Sequence, residues 1–174
     1  MDSRGIVLYV GSFSKVIASG LRVGWIVAPQ VAIRHMTTVQ QASCLSGNTL
    51  VHAAMARFCA GGQYESYLRR VHRVYRGRMR SMLRGLAEHL PRRIAWTKPS
   101  GGYTLWVTLP DESRTEHDLV EAFREAGVIV SAGRRFFARK RRTPHFRLSI
   151  ACVEESRIDE GCRRLGSVLS ARVG

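Results

Sequence analysis

The sequence is poor in cysteine and has no long apolar run, and each of these shortages excludes a class of protein. Four cysteines are spread through 174 residues without a C-x-x-C pair or a histidine at metal-ligand spacing, so neither a disulfide framework nor a zinc site is expected. No apolar run approaches the roughly 20 residues of a membrane-spanning helix. We therefore expect a cytoplasmic protein with free thiols, no metal and no membrane partner. The cysteines are Cys44, Cys59, Cys152 and Cys162.

The basic charge is large and comes almost entirely from arginine. The formal net charge is +15, and only three of the 28 basic side chains are lysines. Such an excess attracts polyanions without specificity, although genomic base composition produces it equally well. The arginines that follow Gly62 are interpreted as a solvated helix face. The basic run Arg134–Arg142 is interpreted as a solvated loop, so nucleic acid is not an expected partner of this segment.

Apolar patterns in the first part of the chain are typical of an α/β sheet. Ile6–Val10 and Val23–Ala28 are short continuous apolar runs, which suit strands buried on both faces. Helical periodicity follows over Val31–Cys44 and Leu50–Cys59. A longer amphipathic helix is then predicted over 63–90.

From residue 91 onward the pattern predicts a small α+β unit. Thr115 begins a helix as its N-cap, and Asp118 three residues later forms a variant of the capping box. Gly127 ends this helix. The predicted strands are 94–96, 102–109, 128–130 and 146–151, and the predicted helices are 115–126 and 154–169.

The segment Gly11–Trp25 carries the residues with the clearest chemistry. Lys15 stands at a strand-to-turn junction among apolar residues, where partial desolvation favours the neutral, nucleophilic amine. Ser12 and Ser14 precede it and Arg22 follows seven residues later, so two hydroxyls and a guanidinium are available for a phosphate. A nucleophilic amine beside such a group suits an aldehyde cofactor that carries a phosphate, namely pyridoxal phosphate (PLP).

The run S-F-S-K followed by G-L-R-x-G closely resembles the Schiff-base lysine motif of fold-type I PLP-dependent aminotransferases of class I and II. The spacing between Lys15 and Arg22 is similar to that of the aminoadipate and kynurenine aminotransferases and of the MocR group of GntR-type regulators. The resemblance implies that Lys15 is catalytic, holding the cofactor and moving the substrate α-proton. It also implies that Ser12, Ser14 and Arg22 bind the cofactor phosphate.

Three later segments resemble the same family in the expected order. Ser100–Trp106 is similar to the strand that opens its small domain, and Gly127–Phe136 to a G-V-x-V-x-P-G-x-x-F segment with Ala132 in place of proline. Phe146–Ser149 is similar to the strand whose arginine binds the substrate α-carboxylate. The resemblance therefore implies that Arg147 is the substrate-binding residue.

The resemblance implies an α/β fold that contains the end of the PLP-transferase large domain, a mainly parallel sheet with helices, followed by a small α+β C-terminal domain. Residues 1–62 are expected to belong to the large domain, 63–90 to the long interdomain helix and 91–174 to the small domain. The family's residues around the pyridine ring lie upstream of the matched part. We therefore expect a C-terminal portion that forms a homodimer or binds a partner supplying the missing half.

Three functions follow from these observations. The leading interpretation is a PLP-dependent aminotransferase-like protein that exchanges an amino group between an amino acid and a 2-oxo acid, and that is active once the missing half completes it. The alternative is the effector-sensing domain of a MocR-type regulator, in which PLP and an amino acid are ligands. A basic nucleic-acid-binding module is the third interpretation, and it predicts salt-sensitive binding that does not require Lys15.

Overall fold

The chain forms two structural units, Met1–Tyr67 (unit 1) and Leu68–Gly174 (unit 2). The computed structural model describes residues 2, 4–110, 115–139 and 143–173. Among the described helices, none combines the length and the apolar composition needed to cross a membrane. The end of the basic run, residues 140–142, lies outside the described residues.

Unit 1 contains a two-stranded antiparallel sheet. Strand β1 (Tyr9–Ser12) pairs with β2 (Gly24–Val27), so that Ser12 lies opposite Gly24. The Phe13 N–H donates to the Val23 carbonyl at 3.0 Å and extends this pairing by one step. The connection between the strands is shorter than the crossover of a dozen or more residues that parallel pairing needs, which explains the antiparallel return.

The second strand was predicted to within one residue at each end, whereas β1 begins three residues later than Ile6. The expectation that both strands are buried on both faces is wrong for this chain. The side chains of Tyr9, Val10 and Val27 are 60%, 69% and 61% exposed. Burial on both faces requires a layer of helices on each side of a sheet, and no described residue provides one. The parallel pairing expected of the large-domain sheet is likewise absent from the described strands.

Two helices complete the description of unit 1 before the long helix begins. Helix α1 (Gln30–Cys44) follows Pro29, and α2 (Thr49–Ala60) follows Asn48. The Asn48 side chain accepts a hydrogen bond from the Val51 N–H at 3.1 Å and so caps α2. Both helices confirm the sequence prediction to within one residue at each end.

Unit 2 packs helices against one face of a four-stranded antiparallel sheet. Helix α3 (Gln63–His89) begins in unit 1 and continues through unit 2. The strand order is β3-β4-β6-β5. The remaining elements are β3 (Ala95–Trp96), β4 (Thr104–Thr108), α4 (Glu116–Glu125), β5 (Ser131–Ala132), β6 (His145–Ser149) and α5 (Glu155–Val173).

The predicted start of α4 is confirmed, but one predicted strand is wrong. The Thr115 hydroxyl accepts from the Asp118 N–H at 3.2 Å, and Gly127 ends the helix region with a φ of +77° that favours glycine. Residues 128–130 form no ladder; the strand there is β5, which begins at Ser131. The apolar composition of 128–130 predicted a strand. A strand also needs a neighbour to pair with, and β6 pairs only with Ser131 and Ala132.

The core of unit 2 lies between the sheet and the helices. Strand alternation places Leu105 and Val107 of β4 and Phe146 and Leu148 of β6 on the buried face. Helix spacing adds apolar side chains from three helices. They are Met79, Met82 and Leu86 of α3, Leu119 and Phe123 of α4, and Ile158, Cys162, Leu165 and Leu169 of α5.

Helices α3 and α5 approach so closely that glycine is required at their contact. A Cβ atom at Gly85 of α3 would lie 2.9 Å from the Cβ of Cys162 in α5. A Cβ atom at Gly166 of α5 would overlap the backbone carbonyl oxygen of His89. Because a backbone atom cannot move aside as a side chain does, Gly166 determines how near the two helices can come.

This close approach predicts opposite effects of the same substitution at two positions of α5. Gly166→Ala is expected to lower the free energy of unfolding by about 1–3 kcal/mol, because the overlap forces the helices apart. Gly161→Ala is the matched control, since a Cβ there meets nothing within 4 Å; it is expected to raise stability by up to about 1 kcal/mol through helix propensity. Urea unfolding followed by circular dichroism measures both. Equal effects of the two variants would contradict the packing described for Gly166.

Candidate functional site

The four residues predicted to bind the cofactor lie on one short loop of unit 1. Strand β1 ends at Ser12, and the chain then forms a 3-10 turn over Phe13–Lys15 and a second one over Ser19–Leu21 before Arg22. The hydrogen bond from Phe13 N–H to Val23 O closes the base of this loop. Ser12, Ser14, Lys15 and Arg22 are therefore all carried at the same end of the two-stranded sheet.

Aromatic side chains anchor the turn that carries Lys15. The ring of Phe13 lies edge-on to that of Tyr64, with centroids 5.7 Å apart, and Phe58 lies 6.3 Å from Tyr64. The Tyr67 hydroxyl donates to the carbonyl of Val16 at 2.9 Å, directly after the turn. Sequence analysis missed these positioning contacts, although the spacing of Tyr64 and Tyr67 on one helix face was a signal.

The loop residues are open to solvent. Ser12, Lys15 and Arg22 are exposed, and Ser14 is partly buried. The expectation that apolar neighbours partly desolvate the Lys15 amine is therefore wrong for the described part of the chain. The ring of Phe13, two residues before Lys15, contacts Tyr64 instead.

Arg22 adopts a backbone conformation that is unusual for a residue with a side chain. Its φ of 51° and ψ of 33° lie in the left-handed region. This conformation costs a non-glycine residue roughly 1–2 kcal/mol. Backbone strain of this kind is concentrated at functional sites, so the presence of arginine rather than glycine points to a use for its side chain.

Arg147 lies in unit 2, on the face of the sheet opposite the core. It pairs across strands with Trp106 of β4 and Ser131 of β5. Its guanidinium carbon lies 4.4 Å from the ring centroid of Phe136, and its Nη2 donates to the Ser131 hydroxyl at 3.4 Å. Its Nε is buried and has no hydrogen-bond partner among the described residues. A buried charged donor without a partner is costly, so this guanidinium is suited to an anion.

Glu116 positions the segment that supports Arg147. Its carboxylate accepts hydrogen bonds from the backbone N–H of Arg134 at 3.0 Å and of His145 at 3.1 Å. These two bonds tie the 3-10 turn Gly133–Phe136, which carries the ring against Arg147, to strand β6. Sequence analysis missed Glu116, Ser131 and Phe136, because only the strand register reveals what lies beside Arg147.

A cavity of about 530 Å³ adjoins this region and is lined in part by Arg147 and Val130. Cys162 also lines it, but burial, and secondarily the charge of Asp159, raises the pKa of this thiol to about 12. The thiolate is the nucleophilic form, so Cys162 offers no nucleophile at neutral pH. At the rim, hydrogen bonds from Arg163 and Arg164 lower the pKa of the Glu160 carboxyl to about 2.

One group of side chains in unit 2 has ligand atoms close enough to share a cation. These atoms belong to Glu88, His89 and Asp159 and lie within 4.8 Å of one another. His89 Nε2 lies 3.2 Å from the Asp159 carboxylate. This pair joins α3 to α5, which accounts for the proximity of the groups, and we assign no metal to them.

Comparisons with known proteins extend along nearly the whole chain. The family model of aminotransferase class I and II matches residues 1–165. Aromatic-amino-acid aminotransferase 1 of Thermococcus litoralis is 34% identical over 168 residues, which cover 97% of this chain and 40% of that protein. The HTH-type transcriptional regulator TauR of Rhodobacter capsulatus is 31% identical over 171 residues, which cover 97% of this chain and 35% of that protein.

A solved aminotransferase structure also matches nearly the whole chain. Pyrococcus horikoshii kynurenine aminotransferase, crystallised in complex with PMP, matches with a TM-score of 0.93 and 34% identity, over 99% of this chain and 43% of that chain. This chain thus spans about 40% of the length of the aminotransferases it matches. The resemblance and the α/β fold class predicted from the sequence are confirmed. The chain belongs to the class I and II aminotransferase family.

Proposed function

We propose that this chain carries the lysine, the phosphate-binding and the carboxylate-binding residues of a PLP-dependent aminotransferase, which transfers an amino group between an amino acid and a 2-oxo acid. The observation that carries the proposal is the loop that holds Ser12, Ser14, Lys15 and Arg22 together at one end of the sheet. The kynurenine aminotransferase crystallised with PMP supports the choice of cofactor.

The residues of the loop have the chemistry that a phosphorylated aldehyde needs. PLP, when bound, supplies the carbonyl that captures an amino group and the ring that withdraws electrons. The Ser12 and Ser14 hydroxyls donate single hydrogen bonds to a phosphate, and the Arg22 guanidinium donates two to it. The Lys15 amine is the nucleophile of the loop, and once neutral it accepts a proton from the substrate α-carbon.

Arg147 is proposed as the residue that binds the substrate carboxylate. The support is that, among the described residues, its Nε has no hydrogen-bond partner and its Nη2 makes one long hydrogen bond at 3.4 Å. A planar guanidinium can donate two parallel hydrogen bonds to a carboxylate. The Phe136 ring at 4.4 Å keeps the guanidinium in place without consuming a donor.

A second candidate function uses the same residues as a sensor. In this proposal the chain is the effector-binding domain of a MocR-type regulator, and PLP and an amino acid are ligands. The identity of 31% with TauR, an HTH-type transcriptional regulator, favours it. Steady-state transfer of the amino group to a 2-oxo acid by the complete protein supports the enzyme, whereas saturable amino-acid binding without turnover supports the sensor.

Reductive trapping tests the proposed role of Lys15. Incubation with PLP followed by borohydride and peptide mass spectrometry is expected to modify Lys15 in preference to Lys98, which is also exposed and serves as an internal control. Arg22→Ala is expected to reduce the trapping of Lys15 about tenfold or more at limiting PLP, because the charged phosphate contact is lost. Equal modification of Lys15 and Lys98 would overturn the proposal.

Arg22→Gly separates binding from folding in the same experiment. Glycine adopts the left-handed conformation freely, so this variant is expected to be at least as stable as the wild type while it loses the phosphate contact. Reduced trapping together with an unchanged or higher melting temperature therefore assigns the effect to the side chain. Wild-type trapping by Arg22→Gly would show that the guanidinium does not bind the cofactor.

If Arg147 binds the substrate carboxylate, its replacement is expected to lower the affinity for the amino acid and to leave cofactor binding unchanged. Arg147→Gln in the PLP-loaded chain is expected to weaken the binding of L-kynurenine and L-phenylalanine about 10- to 100-fold, measured by calorimetry, and to leave PLP trapping at Lys15 unchanged. Ser131→Ala removes one long hydrogen bond and is expected to change affinity by less than about threefold. Unaltered amino-acid binding by Arg147→Gln would contradict the proposed role.

Unit 1 is proposed to be covered in the functional protein, either in a homodimer or by a partner that supplies the remaining half. The support is its exposed apolar surface, since Ile6, Val7 and Val10 are 55–69% exposed and soluble monomers rarely expose large apolar patches. Light scattering coupled to size exclusion is expected to show self-association of the isolated chain. A monodisperse monomer would contradict this proposal. The cytoplasmic location stays a prediction from the sequence.

A further inference from the structure

Four arginines of helix α3 form a continuous stripe along one side of unit 2. Arg73, Arg76, Arg80 and Arg84 are all exposed, and their spacing of three, four and four residues places them within an arc of about 80°. The stripe is about 16 Å long at the helical rise of 1.5 Å per residue. We call these four residues the arginine stripe.

No ion pair within 4.0 Å joins the arginine stripe to another described residue. No aspartate or glutamate occurs between residues 68 and 87 of α3. Two carboxylates lie on or beside the helix without an ion pair to the stripe: Glu88, four residues after Arg84, and Glu155, which accepts a hydrogen bond from the Ser81 hydroxyl at 3.0 Å. Arg78 shows the contrast, because its guanidinium donates to the carbonyls of Ile150 at 3.1 Å and Ala151 at 2.9 Å. Among the described residues, the charge of the stripe arginines is therefore not neutralised by a direct ion pair.

Successive members of the stripe repel one another. Each is three or four residues from the next, so like charges face each other along the helix, which weakens the helix rather than stabilising it. A rigid row of phosphates would neutralise this repulsion and accept the paired hydrogen bonds that a guanidinium offers.

We propose that the arginine stripe binds the phosphate backbone of double-stranded nucleic acid. Its length matches about five base-pair steps at 3.4 Å per phosphate along one strand. A single strand is the poorer fit, because single-strand sites stack bases on exposed aromatic rings, and the nearest aromatic of α3, Tyr75, packs against Tyr103 instead. This proposal departs from the sequence-based expectation, because the structure shows that the four side chains are exposed and make no ion pair among the described residues.

An anionic membrane fits the stripe less well than a duplex. Helices that lie in a membrane interface present an apolar face beside the basic one. The apolar side chains of α3, including Met79, Met82 and Leu86, are buried in the core of unit 2. Val74 of α3 is 41% exposed, but it is a single side chain, so the helix offers little apolar surface to insert.

Salt-dependent binding of a fluorescent 20-base-pair duplex tests the proposal on the full chain without PLP. The variant R73E/R76E/R80E/R84E is expected to reduce the slope of log Kd against log salt by about 3 to 4, at roughly 0.9 per lost phosphate contact. The control R34E/R57E/R135E/R157E changes the net charge equally at exposed positions outside the stripe and is expected to reduce the slope by less than about 1.

Further variants and probes complete the test. Replacement of the stripe by four glutamines, which are good helix formers, is expected to reduce the salt slope as much as the glutamate variant does. The glutamine variant takes its place in the test if circular dichroism shows that the glutamate variant is unfolded. Replacement by four lysines is expected to retain the salt slope. Equal losses in the stripe and control variants would overturn the proposal, since net charge alone would then explain binding. Stripe-dependent binding to phosphatidylserine vesicles without binding to the duplex would overturn it as well.

Discussion

The contact between α3 and α5 is the interaction on which unit 2 depends. Gly85 and Gly166 allow the two helices to approach until backbone and Cβ atoms touch, so the apolar side chains of both helices reach one common core. That core covers one face of the four-stranded sheet. The opposite face is left for polar and aromatic side chains, and Arg147 projects there because strand alternation places Phe146 and Leu148 on the buried side.

The loop of unit 1 is held by a different kind of contact. Backbone pairing of β1 with β2, extended by the bond between Phe13 and Val23, determines where the loop starts and ends. The ring contact of Phe13 with Tyr64 holds the chain before Lys15, and the hydrogen bond from the Tyr67 hydroxyl to the Val16 carbonyl holds it after Lys15. The contacts named here are made by the backbone and by Phe13, Tyr64 and Tyr67, and not by the side chains of Lys15 or Arg22.

The arginines of this protein have several separate roles despite their uniform charge. Arg78 is a structural donor to two carbonyls, and Arg163 and Arg164 pair with Glu160. Arg147 has a buried nitrogen without a partner among the described residues. The net charge of +15 sums over all of them. It therefore describes the attraction to polyanions in general and does not distinguish arginines that support the fold from those that could bind a ligand.

The sequence by itself determined the helices, the family and the loop residues. Apolar periodicity located α1, α2 and α3, the Thr115 cap located α4, and the lysine motif identified Lys15 and Arg22 as residues to examine. These features are local, since each depends on residues within a few positions of one another.

Tertiary structure alone decided the exposure of β1 and Lys15, the start of β5 at Ser131 and the surroundings of Arg147. Each of these depends on residues that are distant in the chain, such as the strand that pairs with Ser131 or the ring of Phe136. An apolar run shows that burial of its side chains is favourable, but it does not show which helix or strand covers them. The packing of distant elements supplies that information, because the free energy of burial depends on the surface that covers a residue and not on the residue alone.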